Sequence, residues 1–156
     1  MESIHQFKVK GIDGEEINFA DFAGKKVMVV NVASECGYTP QYQQLQELYE
    51  HFQDKIVIVG FPANNFGQQE PGTNEAIQSF CTKNFGVTFP LAAKIDIDTH
   101  PVYQWLTQAS QNEVMDSQVK WNFFKYLLDE NGHLVSCFPS AVSPLDEVIT
   151  EFINRS

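Results

Sequence analysis

Arginine is nearly missing from this chain: Arg155 stands alone, Lys and Arg together number 10, and Asp and Glu number 20. The resulting formal charge of −10 argues against nucleic acid and anionic membrane as partners, because each needs a basic patch. Bidentate recognition of carboxylates usually falls to arginine, so that mode has almost no residue to use here. Cysteine is also sparse and odd in number. Cys36, Cys81 and Cys137 are too far apart for a secreted disulfide scaffold and fit free or catalytic thiols in a reducing compartment. No apolar run approaches membrane-spanning length. Met1–Gln6 lacks the basic stretch and apolar segment of a signal peptide, so a cytoplasmic location is expected. His5, His51, His100 and His133 show no ligand-like spacing, and neither a phosphate loop nor a dinucleotide fingerprint occurs, so no metal or cofactor is expected. Repeats, linkers and low-complexity segments are absent too. The 156 residues, 43% of them hydrophobic, read as one globular domain over 1–156.

What is present begins with alternation. Phe7–Lys10 and Glu15–Phe19 flank a Gly11–Gly14 turn and predict a β-hairpin, with Asp21 a candidate helix cap in the connector beyond it. Lys26–Val32 is almost continuously apolar and β-branched, the pattern of a strand buried on both faces. From Pro40, Tyr42, Leu45, Leu48, Tyr49 and Phe52 recur at helical spacing, with Thr39 as the expected cap. Ile56–Phe61 is a second buried strand, and strand, helix, strand implies a right-handed parallel crossover. A long polar loop, Pro62–Gly72, leads to a helix capped by Thr73 or Asn74 and running to about Asn84, with Ile77, Phe80 and Cys81 inward. Loops of that length in compact domains tend to be functional. Pro101 starts a short helix to about Gln108, and Ser110–Gln118 reads as a surface loop. Trp121–Leu128 and Leu134–Phe138 around Asp129–Gly132 predict a second hairpin. Pro144 begins a last helix with Leu145, Val148, Ile149 and Phe152 on one face.

The chain is organised around Asn31–Thr39, where the first buried strand gives way to the first helix. A cysteine there, Cys36, sits among free backbone N–H groups and near a positive helix end, which favour an anion such as thiolate. Glu35 beside it works the other way. A lone cysteine is more often a small buried hydrophobe, so the junction alone tilts the reading only modestly. A parallel pair carrying an antiparallel hairpin, with helices on both faces, is a thioredoxin-like arrangement: an α/β fold with a central mixed sheet, flanking helices and an N-terminal β-hairpin. Thioredoxins place their reactive cysteine at this junction in a Cys-x-x-Cys motif. Thr39 stands at the second position here, so a partner thiol must come from elsewhere.

Three stretches resemble the signatures of the glutathione peroxidases: Asn31–Thr39, Gly60–Gly72 and Trp121–Leu128, in the right order and together spanning most of the chain. The resemblance implies a catalytic group of Cys36, Gln69, Trp121 and Asn122. Indole and amide N–H groups do not titrate near neutrality, and they suit stabilisation of a thiolate and a departing peroxide oxygen. Without the motifs, Trp121 would read as a core aromatic and Gln69 and Asn122 as ordinary polar residues. Many relatives carry selenocysteine at the position of Cys36. In relatives served by thioredoxin, a resolving cysteine lies on the helix after the Gln-Glu-Pro-Gly loop, the place of Cys81. By that analogy Cys81 condenses with a Cys36 sulfenic acid after local unwinding of its helix. Ala63 stands where many relatives have another cysteine and Cys137 where many have arginine; Cys137 reads as structural.

The expected function is a thiol peroxidase acting on hydrogen peroxide and organic or lipid hydroperoxides, recycled by thioredoxin. The missing arginine weakens glutathione, a doubly carboxylated reductant, as the alternative, although Lys83, Lys120 and Lys125 offer point charges. Two further readings use the same fold: a redox relay from Cys36 to a partner protein, and a binding module without catalysis. The resemblance also implies a monomer, because Ser110–Lys120 is too short for the insert of tetrameric relatives.

Overall fold

The structure, a computed structural model, describes residues 2–155, one fewer at each end than the expected 1–156 domain. Two buried strands, β3 (Lys26–Val32) and β4 (Ile56–Pro62), follow a small hairpin of β1 (Lys8–Lys10) and β2 (Glu16–Asn18). The remaining elements are α1 (Gln41–His51), α2 (Asn74–Phe85), α3 (Pro101–Thr107), α4 (Ala109–Asn112), β5 (Lys125–Leu128), β6 (Leu134–Phe138) and α5 (Glu147–Asn154). β3 and β4 pair in parallel over their whole length, from Lys26 opposite Ile56 to Val32 opposite Pro62. β5 then runs antiparallel to β3, and β6 antiparallel to β5, giving the sheet order β4-β3-β5-β6.

Side chains alternate across a strand, so a strand buried on both faces feeds two cores. Val27, Val29, Val57, Val59, Phe61, Tyr126 and Leu128 pack with Val102, Trp105 and Leu106 of α3. Met28, Val30, Val32, Ile56, Ile58 and Leu127 pack on the opposite face with α1, α2 and α5. Each such aliphatic side chain contributes roughly 1.5–3 kcal/mol when fully buried. Cys36 and Cys81 both belong to the second core. The mixed sheet, its helical layers and the N-terminal hairpin match the expected arrangement.

Several local expectations are corrected. The side chain that caps the 3-10 turn at Phe19–Phe22 is Asn18, which accepts from Ala20 N, and Asp21 lies inside the turn. Thr39 does not cap α1: its hydroxyl accepts from Cys36 N at 2.9 Å and donates to Ala33 O at 2.8 Å, closing the cysteine turn instead. The last helix starts at Glu147, capped by Asp146, and its inward face is Ile149, Phe152 and Ile153, with Leu145 and Val148 exposed. In Ser110–Gln118 a further short helix forms because Asn112 is buried. Its amide donates to the carbonyls of Trp105, Leu106 and Met115, and its carbonyl accepts from Val114 N and Met115 N. Trp121–Phe124 precede β5 as a turn rather than forming its first half.

Candidate active site

β3 ends just before the turn that holds Cys36, and one backbone donor reaches its sulfur. Tyr38 N donates to Cys36 Sγ at 3.3 Å, the one hydrogen bond at this sulfur among the described residues. Cys36 is 7% exposed, so little of it is open to solvent. The loop after β4 lies directly against it. Glu35 N donates to Gln69 O at 3.0 Å, and Ser34 N donates to Glu70 Oε1 at 3.1 Å. Asn64 Oδ1 in turn accepts from Glu70 N, which fixes the far side of the loop.

The third segment arrives through Asn31, a polar side chain inside a buried strand. Its amide donates to Trp121 O at 3.0 Å, its carboxamide oxygen accepts from Phe124 N at 3.1 Å, and its backbone carbonyl accepts from Phe123 N at 2.6 Å. That clamp bends Trp121–Phe124 back over the end of β3. Asn122 is buried, and its amide donates to Gln69 Oε1 at 3.0 Å and Phe66 O at 3.3 Å. Trp121 is half-exposed and leans on Phe66, with ring centroids 5.9 Å apart. Trp121 and Gln69 meet at Gly67, where a Cβ would lie 2.9 Å from the indole Cη2 and 3.3 Å from the Gln69 amide carbon. Gly67 has φ +66°, in the region that glycine tolerates best.

The structure therefore gathers the segments of Cys36, Gln69, Trp121 and Asn122 at one end of the sheet. The two amides are bonded to each other, Asn122 donating to Gln69, and neither makes a hydrogen bond to the sulfur. Cys81 is placed differently, on the inward face of α2 and fully buried. Burial pushes its thiol up to about 11. Burial likewise holds Tyr42 well above an ordinary phenol, and the nearby Cys81 reinforces this. The phenol and thiol influence each other's ionisation, although the Tyr42 hydroxyl makes no hydrogen bond of normal geometry. Glu70 is raised by burial too, partly offset by its bonds to Ser34, and one carboxylate oxygen lacks a partner. Among the described residues no cluster of three potential metal ligands exists.

Sequence reasoning placed Asn31, Asn64, Glu70 and Thr39 within the signature stretches but missed their bonding roles at this end of the sheet. The available signal was their polarity: an asparagine closing an apolar strand and a carboxylate flanked by turn residues need buried partners. Lys125 requires a correction. It was expected to offer a point charge to a carboxylated reductant, but it is fully buried, whereas Lys83 and Lys120 are exposed.

Solved structures place this architecture in the thioredoxin-like class. The thiol:disulfide interchange protein of Chlorobium tepidum TLS superimposes with a TM-score of 0.66 over 95% of this chain and 93% of its own, at 16% identity. The crystal structure of Trgpx in apo form superimposes with a TM-score of 0.74 at 33% identity, over 99% of this chain and 97% of that one. The chain belongs to the glutathione peroxidase family, whose profile matches residues 4–107. It is 44% identical to glutathione peroxidase-like peroxiredoxin 2 of Saccharomyces cerevisiae, over 98% of both chains. It is also 41% identical to the hydroperoxy fatty acid reductase of Synechocystis, over 96% of this chain and 93% of that protein.

Proposed function

We propose that this protein is a thiol peroxidase that reduces hydrogen peroxide and organic hydroperoxides through Cys36. The single observation that supports this most is the turn geometry. A cysteine sulfur accepts a backbone N–H and lies beside a loop that bears Gln69, paired to Asn122, and Phe66, packed on Trp121. The thiolate attacks one peroxide oxygen, the O–O bond breaks, and the other oxygen leaves as alkoxide or hydroxide and takes a proton. Cys36 becomes a sulfenic acid and the peroxide becomes an alcohol or water. Indole and amide N–H groups at the mouth of the turn stabilise the charge that develops on the leaving oxygen. The bond between Asn122 and Gln69 leaves the Gln69 amide nitrogen free to turn toward that oxygen.

Cys81 then condenses with the sulfenic acid, forming a Cys36–Cys81 disulfide and releasing water. A dithiol reductant of the thioredoxin type returns both thiols by exchange. The names of the fungal and cyanobacterial relatives, a peroxiredoxin and a hydroperoxy fatty acid reductase, support a peroxide substrate, including lipid hydroperoxides. Glutathione fits less well, because the only arginine lies at position 155 and one of the three lysines considered for it is buried. The protein works as a single domain and as a monomer: residues 109–117 fold back onto α3 through Asn112 and leave no projecting arm. No helix among the described residues is long and apolar enough to cross a membrane.

The decisive experiment compares wild type, Cys36→Ser and Cys81→Ser with hydrogen peroxide and either thioredoxin or glutathione. Cys36→Ser loses all peroxide reduction. Cys81→Ser still consumes one equivalent of peroxide but no longer turns over with thioredoxin. Efficient cycling of Cys81→Ser on glutathione would reverse the assignment of reductant, and peroxide reduction by Cys36→Ser would remove the function altogether.

A further inference from the structure

A lysine buried without an acidic partner needs an explanation, because an ammonium is among the costliest groups to take out of water. Lys125 opens β5 and is fully buried, on the same sheet face as Leu127. Among the described residues no carboxylate reaches ion-pair distance of its nitrogen. Its partners are two backbone carbonyls, Phe123 O at 2.7 Å and Ser140 O at 3.2 Å. Phe123 carries φ +65°, a left-handed conformation that a phenylalanine adopts only when its surroundings impose it. Phe123 directly follows Trp121 and Asn122. Ser140 O also accepts from Gln41 Nε2 at 2.8 Å, and Gln41 is the first residue of α1, just beyond the Cys36 turn. One nitrogen therefore links the Trp121–Asn122 turn to the start of the helix that follows Cys36.

We infer that Lys125 is a positioning residue for the peroxide reaction, holding the Phe123 and Ser140 carbonyls so that Trp121 presents its indole N–H, and Asn122 holds the Gln69 amide, at the mouth of the Cys36 turn. This rests on the proposal above that those two residues serve Cys36. Asn31 fixes the turn from the side of β3, through Trp121 O, Phe123 N and Phe124 N. Lys125 fixes it from the other end, through the one carbonyl at Phe123 that Asn31 does not reach. Burial lowers the amine to about 7, so near neutrality a large share is uncharged. An uncharged amine has two N–H donors, which matches the two carbonyls waiting for it.

The test separates two reactions of the same sulfur in the full-length protein. Oxidation of Cys36 by hydrogen peroxide needs the donors at the mouth of the turn, whereas alkylation by iodoacetamide does not. Lys125→Met keeps the apolar stem as far as Cε and removes the amine and its donors. It is expected to slow oxidation at least tenfold and leave alkylation within twofold, with the far-ultraviolet spectrum unchanged. Lys125→Gln restores donors on a shorter stem and is expected to fall between the two. Oxidation within twofold of wild type in folded Lys125→Met overturns the inference, and so does an equal slowing of both reactions. If Lys125→Met does not fold, Lys125→Gln is judged by the same ratio of oxidation to alkylation, and a wild-type ratio overturns the inference. Unfolding of both variants makes Lys125 a residue of the fold alone and overturns it as well. Trp121→Phe distinguishes the two levels: an unchanged oxidation rate there overturns the donor reading together with this inference, whereas slow Trp121→Phe beside normal Lys125→Met overturns this inference only.

Discussion

Gly67→Ala should damage the peroxide reaction more than it damages the fold. The added methyl has two separate costs. First, alanine at φ +66° pays the left-handed penalty of roughly 1–2 kcal/mol that glycine avoids. Second, the methyl would sit 2.9 Å from the Trp121 ring and 3.3 Å from the Gln69 amide carbon, closer to the ring than real side chains come. Trp121 is half-exposed, so it yields by swinging outward instead of compressing a core, and the second cost to stability is small. The expected loss in urea denaturation is therefore about 1–2 kcal/mol. Displacing a transition-state donor costs at most the whole donor, about 2.7–4 kcal/mol or a rate factor of 10²–10³. A partial swing should take a share of this, roughly tenfold to a hundredfold in rate, with Trp121→Phe marking the ceiling. The assay is stopped-flow oxidation of the reduced protein by hydrogen peroxide, with urea midpoints measured alongside. Loss of stability with an unchanged oxidation rate would refute the reasoning, because it would show that the place of the Trp121 ring does not matter.

Lys125 has a folded pKa of about 7, below its ordinary value, so between these two the unfolded chain binds a proton that the folded chain does not. This group therefore makes stability rise with pH above 7, by up to about 1.4 kcal/mol per unit, and urea midpoints between pH 7 and 9 should rise in wild type and flatten in Lys125→Met. A wild-type slope retained by the variant would refute the origin of the effect. Glu70 is shifted the opposite way, raised by burial, so its contribution is complete at acid pH and is lost as pH climbs through its folded value. Glu70→Gln should accordingly gain on wild type as pH rises from 4 toward neutrality, and parallel denaturation curves would contradict this. Hydrogen exchange should open the amides of α2 at lower free energy than those of α1, since α2 buries only Ile77 and Cys81 while α1 buries Gln41, Tyr42, Leu45, Gln46 and Leu48. Equal protection of the two helices would count against the resolving role of Cys81.

How much of this was legible depended on what each residue answers to. Lys26–Val32 and Ile56–Phe61 were readable because a strand buried on both faces must be apolar throughout, whatever packs against it. Thr73 begins α2 by a local rule, and it behaves accordingly. The errors fall where a polar side chain bonds backbone groups of its own turn. Thr39 looks like a helix cap, yet it closes the cysteine turn against Ala33. Asn112 sits in a polar run that reads as loop, yet its single side chain binds five backbone groups and folds the run into a helical turn. Leu145 and Val148 continue an apolar spacing, but Asp146 caps the helix after Leu145 and rotates its inward face to Ile149, Phe152 and Ile153. No periodicity in the sequence encodes these contacts, because a single polar side chain that closes a turn leaves no repeating pattern.

The two thiols illustrate why the local setting of a side chain matters to the chemistry. Cys36 and Cys81 lie in one core, yet one is held at the mouth of a turn and the other under a helix. Burial holds Cys81 at about 11, where almost none is thiolate at neutral pH, so in the closed fold it neither competes for peroxide nor forms disulfides at random. Opening α2 hydrates the thiol, removes the cause of its raised pKa and frees it to move in a single event. That helix is held by two buried side chains, by the partly buried Phe80 and Phe85, by one threonine cap and by one left-handed glycine. Strong anchoring would make the closed state more stable but leave the sulfenic acid waiting longer for its partner. Under the proposed resolving role of Cys81, a helix that opens over a masked thiol would reconcile an inert second cysteine before oxidation with a reactive one after it.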